Sequence, residues 1–197
     1  MKFKIIDQQT PYQGFFRIDV YQFQHELFRG GWTKNVRREI FERGNAVAVL
    51  MHDPVTNNVL LIEQFRPGAA IRNPQEAWML EIVAGIVEAG ESTEQVARRE
   101  AVEEAGCVIE SLEHIMDYYP SAGGSTERIS LYYAPLDLSG VESGIHGLEH
   151  EDEEIRISVV PMSTALEWLT VGRIQASIAV IALQWLALEQ YAGRKLL

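Results

Sequence analysis

Gly85 to Cys107 reads GIVEAGESTEQVARREAVEEAGC, and this stretch decides the fold. Ser92 followed three residues later by Gln95 is a capping-box start, and Gly106 suits a left-handed stop, so the sequence predicts a helix over roughly Thr93 to Ala105. At about 100° per residue, Glu100, Glu103 and Glu104 share one face of that helix. Like charges at i,i+4 cost about 0.2–0.5 kcal/mol each. The macrodipole also disfavours anions in the C-terminal half, where this cluster sits. A helix built for stability alone has no reason to hold three carboxylates there. A divalent cation is the natural compensation, because Mg²⁺ is a hard ion held by a few carboxylate oxygens together with substrate phosphates. The plainer alternative is a solvated Glu-rich face on which Arg99 and Glu103 form an ordinary i,i+4 ion pair.

Upstream of this helix, GFFRIDVYQFQHELF alternates, with Phe16, Ile18 and Val20 on one face of a strand and Phe23 joining them after a twist. Gly30-Gly31 suits a hairpin turn. The apolar run Asn45 to Met51, the turn cluster DPVTNN and the run Val59 to Phe65 predict an antiparallel hairpin in a sheet covered on both faces. Pro67-Gly68 to Pro74 reads as a loop, and Trp78 to Val83 as a strand leading into the acidic helix. Downstream, Glu113 to Tyr119 and Ile129 to Pro135 read as strands around the polar loop SAGGSTER. Gly140 to Glu153 is a long acidic loop, and Glu154 to Pro161 a last strand. Ser163 is expected to cap a short helix ending near Gly172, and Ser177 to start a second one through about Tyr191, with an apolar face diluted by Ala182 and Ala187 whose larger members are Ile178, Ile181, Trp185 and Leu188. Helices packed on a mixed sheet, with an N-terminal antiparallel extension, is the α/β architecture this implies. The division expected is residues 1–43 as an N-terminal β subdomain and 44–197 as the main domain.

The 197 residues are 47% hydrophobic and 23% charged, an ordinary globular composition. A formal net charge of −11 argues against non-specific binding to nucleic acid or to anionic membranes. It leaves room for an anionic substrate wherever arginines and metal reverse the local sign. Cys107 is the single cysteine, which excludes an intrachain disulfide and a cysteine metal cage. His25, His52, His114, His146 and His150 show no ligand spacing and read as structural, so zinc is not expected. MKFKIIDQQT lacks the apolar core of a signal peptide, and no run reaches membrane-spanning length, so a soluble cytoplasmic protein is the expectation.

The whole pattern resembles the Nudix box, G-x5-E-x7-R-E-U-x-E-E-x-G-U with U apolar. Every fixed position matches (Gly85, Glu91, Arg99, Glu100, Glu103, Glu104, Gly106), and only Ala101 and Cys107 are small for U. The resemblance implies the Nudix α/β/α sandwich and Mg²⁺-assisted hydrolysis of a nucleoside diphosphate linked to another group. Mn²⁺ is an alternative ion, and two or more ions per site are implied. The segments GFFRIDVYQFQHELF, RREIFERGNAVAVL, VLLIEQFRPGAA, SAGGSTERISLYYA, SGIHGLE, IRISVV and SIAVIALQWL are similar to the bacterial ADP-ribose pyrophosphatases of that family over nearly the whole chain. That likeness implies cleavage of ADP-ribose to AMP and ribose 5-phosphate by a homodimer whose N-terminal subdomains are shared between the two sites. Another nucleotide sugar such as GDP-mannose is the alternative substrate, and a non-catalytic ADP-ribose sensor the alternative class.

Carried over by position, the resemblance implies metal ligation by Glu100, Glu104, Glu153 and the carbonyl of Ala84. It implies a catalytic group of Glu151 as base, Glu103, and Arg99, the last as a residue that orients carboxylates such as Glu91 or Glu103. Which glutamate is the base stays open between Glu151 and its neighbours. Substrate contacts are implied for Arg38 and Arg66, whose guanidinium forks suit phosphate oxygens. Phe15 is implied to stack on adenine from the other subunit, with Ser121 and Glu127 in the SAGGSTER loop. The length of the loop in FRPGAAIRNPQEAW has no clear match in the family, which leaves preference among ADP-sugars open.

Overall fold

The alternation around Phe16 to Phe23 becomes the middle of a three-stranded antiparallel sheet, β1 (Phe3–Gln13), β2 (Arg17–His25) and β3 (Val36–Glu42), in that order. The computed structural model describes residues 1–148, 150 and 152–194. Nothing in the sequence announces β1, because its residues are almost all exposed and its apolar side chains do not alternate cleanly. It is tied to β2 by Asp19, which is fully buried and accepts hydrogen bonds from Thr10 Oγ1 at 2.6 Å, Arg17 Nε at 3.0 Å and Gln8 Nε2 at 3.3 Å. The Thr10 hydroxyl, helped by Arg17 and opposed by burial, holds the Asp19 carboxyl below the usual carboxylate range.

The chain forms two compact units, Met1–Asn45 with Tyr119–Ile129, and Ala46–Tyr118 with Ser130–Leu197. In the first unit the segment Tyr119–Ile129 binds to β3 and its flank. Phe41 N–H donates to the Gly124 carbonyl (2.8 Å), Thr126 N–H to the Phe41 carbonyl (3.3 Å), Thr126 Oγ1 to Glu42 (2.7 Å) and Arg128 N–H to Asn45 Oδ1 (3.2 Å).

The second unit is an α/β structure. Its sheet has the order β10 (Ile145–His146), β11 (Ile155–Pro161), β5 (Asn58–Phe65), β4 (Ala46–Asp53), β9 (Ile129–Pro135), β8 (Glu113–Tyr118). The strand expected over Trp78 to Val83 is two strands, β6 (Trp78–Glu81) on β5 and β7 (Val83–Ile86) on β4. The chain changes partner at the fully buried Ile82, a switch that periodicity does not encode. The loop expected after Phe65 contains a short helix, α1 (Pro67–Arg72), because Pro67 presets the first helical φ. Asn73 then accepts from Gln75 N–H and starts a single 3-10 turn, Pro74–Glu76.

Strand β4 is buried along its whole length, and its two faces meet different helices. Val47, Val49 and Met51 join Val96, Ala97, Ala101 and Ala105 of α2 (Thr93–Ala105) in the main core cluster. On the neighbouring β9, Tyr132 belongs to that cluster, whereas Tyr133 points the other way and meets Trp185 of α4 (Ser177–Tyr191) at 5.4 Å between ring centroids. A sheet between helices follows directly. The residues α4 buries fully are Ala179, Ala182, Leu183 and Leu186; of the expected set, Ile178, Ile181 and Trp185 are half-buried at the flank and Leu188 is exposed. Ala179 and Ala182 let the helix backbone lie close to the sheet, while Leu183 and Leu186 fill the space beside them. Helix α3 (Met162–Thr170) likewise starts without a Ser163 cap. Pro161 is its N-cap, and buried Met162 donates its N–H to the Asn57 carbonyl at 2.9 Å. Among the described residues no helix is long and apolar enough to cross a membrane.

Candidate active site

Helix α2 starts with a complete capping box, Gln95 N–H on Ser92 Oγ at 3.2 Å and Ser92 N–H on Gln95 Oε1 at 2.8 Å. It stops at Gly106, whose φ of 63° is left-handed. Between these ends the carboxylates are gathered by one cation, Arg99. Its Nη1 binds Glu100 Oε1 and Glu103 Oε2, both at 2.8 Å, and its Nε reaches Glu91 Oε1 at 3.3 Å. Burial pulls the Arg99 guanidinium down, but Glu91, Glu100 and Glu103 outweigh it and hold the group above its ordinary value. The Arg99 hydrogen bond in turn keeps Glu91 below the carboxylate range, against some burial.

Glu104 lies one turn beyond Glu100 and is buried. Its Oε2 accepts the Ala84 N–H at 3.0 Å. Burial pushes its pKa up to about 8; the Ala84 N–H opposes this, the charges of Glu100 and Glu153 add to it, and Arg66 lowers it. Glu100 is also raised, chiefly by burial, with Arg99 opposing and Glu103 and Glu153 contributing. Glu153 therefore lies close enough to act on both. A Cβ on Gly85 would overlap the Glu100 carboxylate, so this glycine creates the space in which Glu100 lies against β7.

Arg66 follows β5 and faces Glu81 at the end of β6. Its Nε and Nη2 both lie 2.7 Å from Glu81 Oε2, which Gln64 Nε2 also approaches at 3.3 Å. The acidic loop is anchored to α2 at two points. Gly147 N–H donates to the Glu103 carbonyl at 3.3 Å, and the His146 ring lies where a Cβ on Gly106 would meet it at 3.0 Å. At a φ of 103°, Gly147 also passes so close to Glu153 that a Cβ would lie 2.8 Å from the Glu153 carbonyl oxygen. Thus Ala84, Arg99, Glu100, Glu103, Glu104, Glu153 and Arg66 are gathered in the second unit. Glu151 lies outside the described residues.

Phe15, Arg38, Ser121 and Glu127 belong to the first unit. Phe15 is 88% exposed and makes an edge contact with Phe16 at 4.7 Å. Arg38 is exposed on β3, with Nη1 on the Arg37 carbonyl at 2.8 Å. The Ser121 carbonyl accepts from Gly124 N–H and Ser125 N–H at 3.1 and 3.0 Å. Glu127 is buried, with Arg43 Nε at 3.3 Å from its carboxylate.

Residue patterns do not single out Glu81, His146 or Gly147. The one trace of Glu81 is a lone charge inside the apolar run WMLEIV, whereas His146 acts through its ring against Gly106 and Gly147 through its backbone, and neither leaves a pattern. A cavity of about 490 Å³ lies at the Asp53–Asn58 turn, lined by residues including Asp53, Thr56 and Asp137. Asp53 accepts there from Val55 N–H, Thr56 N–H and Thr56 Oγ1, and Asp137 accepts from Ser139 N–H, so both carboxylates order their own turns.

The donor set around Glu104 fits a hard divalent cation: carboxylate oxygens on one helix face, a glycine cradle, and a buried carboxyl that a cation at that spot would return to its charged form. Among the described residues no group of three His, Cys, Asp or Glu side chains converges as a ready cage, since Glu100 and Glu103 turn to Arg99.

A family profile described as the NUDIX domain matches residues 42–178, which leaves β1, β2, all of β3 but Glu42, and α4 beyond Ile178 outside the match. The chain is 47% identical over 189 residues to the ADP-ribose pyrophosphatase of Escherichia coli K12, covering 96% of this chain and 90% of the relative. Similarity to the ADP-ribose pyrophosphatase of Haemophilus influenzae is 44% identity over 188 residues, 94% of this chain and 86% of the relative. A GDP-mannose pyrophosphatase of Pectobacterium atrosepticum is 29% identical over 180 residues, 91% of each chain.

Proposed function

The chain belongs to the Nudix family, and from that premise we propose that it is an enzyme hydrolysing the diphosphate of ADP-ribose to AMP and ribose 5-phosphate. The observation that carries the substrate is the 47% identity to an ADP-ribose pyrophosphatase over 96% of the chain, against 29% to a GDP-mannose pyrophosphatase. In the reaction a water oxygen bonds to one phosphorus, the bridging P–O bond breaks, and the bridging oxygen leaves with the other phosphate.

Glu100, Glu104, Glu153 and the Ala84 carbonyl would hold Mg²⁺ or Mn²⁺, two or more ions in all. When bound, such ions neutralise diphosphate charge and lower the pKa of water. The chain's own groups do the rest. Arg99 fixes Glu100 and Glu103 relative to each other, and its hold on Glu91 braces the start of the helix. A glutamate of the acidic loop, Glu151 on this reading, takes the proton from the attacking water. Arg66 and Arg38 bind phosphate or ribose oxygens, and Phe15, exposed and flat, stacks on adenine. Ser121 and Glu127 belong to the substrate loop, where Ser121 orders the turn and Glu127 fixes Arg43.

A homodimer completes the proposal, with the N-terminal sheets shared between two sites. Its support is the exposed apolar set Phe3, Ile5, Ile6 and Tyr12 on β1. The cytoplasm is the compartment that fits a nucleotide-sugar substrate and a single buried free cysteine, Cys107.

Turnover of ADP-ribose, ADP-glucose, GDP-mannose and NADH with Mg²⁺ tests the reading. The expected order puts ADP-ribose first in kcat/KM. A higher kcat/KM for GDP-mannose overturns the substrate, and tight binding of ADP-ribose without any hydrolysis makes the protein a sensor.

A further inference from the structure

We propose that Glu81 is a positioning residue for diphosphate binding: its buried carboxylate locks the Arg66 guanidinium in one orientation and so presents the remaining Nη1 edge to substrate oxygens. This rests on the reading of Arg66 as a phosphate-binding group. Glu81 is 6% exposed and stands at the last position of β6, where an apolar residue would satisfy the sheet equally well. Three donors converge on its Oε2: Arg66 Nε and Nη2 at 2.7 Å and Gln64 Nε2 at 3.3 Å.

Stability gives little reason for this arrangement. Taking a carboxylate out of water is costly, and replacing such an ion pair as a whole by well-packed apolar residues is often neutral or stabilising. What the pair does provide is direction. An arginine side chain has several rotatable bonds, and fixing it to one partner removes that freedom before substrate arrives. Register places the two together. Phe65 pairs with Trp78 and Ile62 with Glu81 across the β5–β6 ladder, so Arg66 leaves β5 beside the Trp78 end and its side chain runs back along the ladder to reach Glu81. Arg66 N–H is itself held by the Ala77 carbonyl at 2.7 Å, which fixes the root of the side chain as Glu81 fixes its tip. The charge of Arg66 also reaches Glu104, which puts the locked guanidinium within electrostatic range of the acidic helix. One carboxylate thus holds a cation beside the carboxylates without placing its own charge on the substrate.

The test is a double-mutant cycle of Glu81→Gln and Arg66→Ala in the full chain. It is read as KM and kcat for ADP-ribose and, separately, as the Kd of inorganic pyrophosphate by calorimetry. Glu81→Gln is expected to raise KM and the pyrophosphate Kd about tenfold, with kcat within about twofold, as for loss of one charge-assisted hydrogen bond that orients a binding group. In the Arg66→Ala background it should add nothing, and Glu81→Asp should recover part of the loss. Losses that add in the double variant, a change confined to kcat, or an unchanged KM and Kd overturn the proposal. So does a wild-type chain that binds neither ligand. If wild type leaves ADP-ribose uncut while the pyrophosphate cycle is non-additive, the substrate reading fails and the role of Glu81 stands.

Discussion

Replacing Gly85 by alanine separates the fold from the site with a single methyl group. The new Cβ would overlap Oε1, Cδ and Cγ of Glu100, the outer part of one flexible side chain. The backbone at Gly85 lies outside the left-handed region, so alanine is conformationally acceptable there. In a strand paired with β4 at Val47, it should gain about 0.5–1 kcal/mol over glycine. Against this stands the Arg99–Glu100 pair at 2.8 Å, a partly exposed bond whose loss costs about 0.2–1 kcal/mol. The two nearly cancel, and Glu100 swings aside while the helix stays. For the reaction the balance is different. Displacing a reacting-site group by about 1 Å costs on the order of 10²-fold in rate, or about 2.7 kcal/mol in the barrier. Gly85→Ala is therefore expected to lower kcat for AMP release from ADP-ribose about 100-fold. Its thermal midpoint should stay near wild type, and adding Gly85→Ala to Glu100→Ala should change nothing further. A kcat within about threefold of wild type would refute the idea that Glu100 must lie against Gly85, and so would a midpoint lowered by more than about 8 °C, which would mean the sheet had given way.

Glu104→Gln should leave the fold intact, because the amide oxygen can still accept the Ala84 N–H; kcat should fall on the order of 10²-fold or more, and unchanged turnover would sink the metal assignment. His52 is bonded to the Tyr133 hydroxyl at 2.9 Å and to Asn57 at 3.0 Å, and burial keeps its pKa below the ordinary value. The unfolded chain therefore takes up that proton first, near pH 6.5, so the stability His52 contributes is present above about pH 6.5 and is lost as pH falls toward the folded value. Urea midpoints at pH 7.5 and 5.5 should show a larger acid loss in wild type than in His52→Gln, and an equal loss contradicts this. Sedimentation at micromolar concentration should give twice the chain mass, and Ile5→Lys in the exposed face of β1 should shift it toward one chain; a monomeric wild type rules out the shared-sheet dimer.

Most of the second unit could be read from residue order, because helix caps and apolar runs are local signals. Ser92, Gln95 and Gly106 specify α2 to the residue. The sites of failure have a common cause, which is that the partner decides. Strand β1 has no apolar period of its own, the break at Ile82 depends on which strand accepts each half, and the face α4 buries mixes Ala179 and Ala182 with Leu183 and Leu186 in a helix that is apolar nearly all round. In the candidate site, the charges on α2 were visible as an unfavourable pattern. Their arrangement around Arg99, the glycine cradle for Glu100 and the lock between Glu81 and Arg66 depend on distances across the sheet, which spacing along the chain does not carry.

The hydrogen bonds between Phe41 and the Gly124–Thr126 turn also set an order of events during synthesis. Strands β1 to β3 can pair as soon as they leave the ribosome. The Phe41 amide, the Glu42 carboxylate and the Asn45 side chain must wait for partners as late as Arg128. At about 5–20 residues per second, the 83 residues from Asn45 to Arg128 take about 4–17 s to make. The first unit to be born is thus among the last to close, and the acidic helix has already emerged by then. A nascent chain stalled before Tyr119 should carry a formed N-terminal sheet whose outer edge is still open to a passing strand or a chaperone.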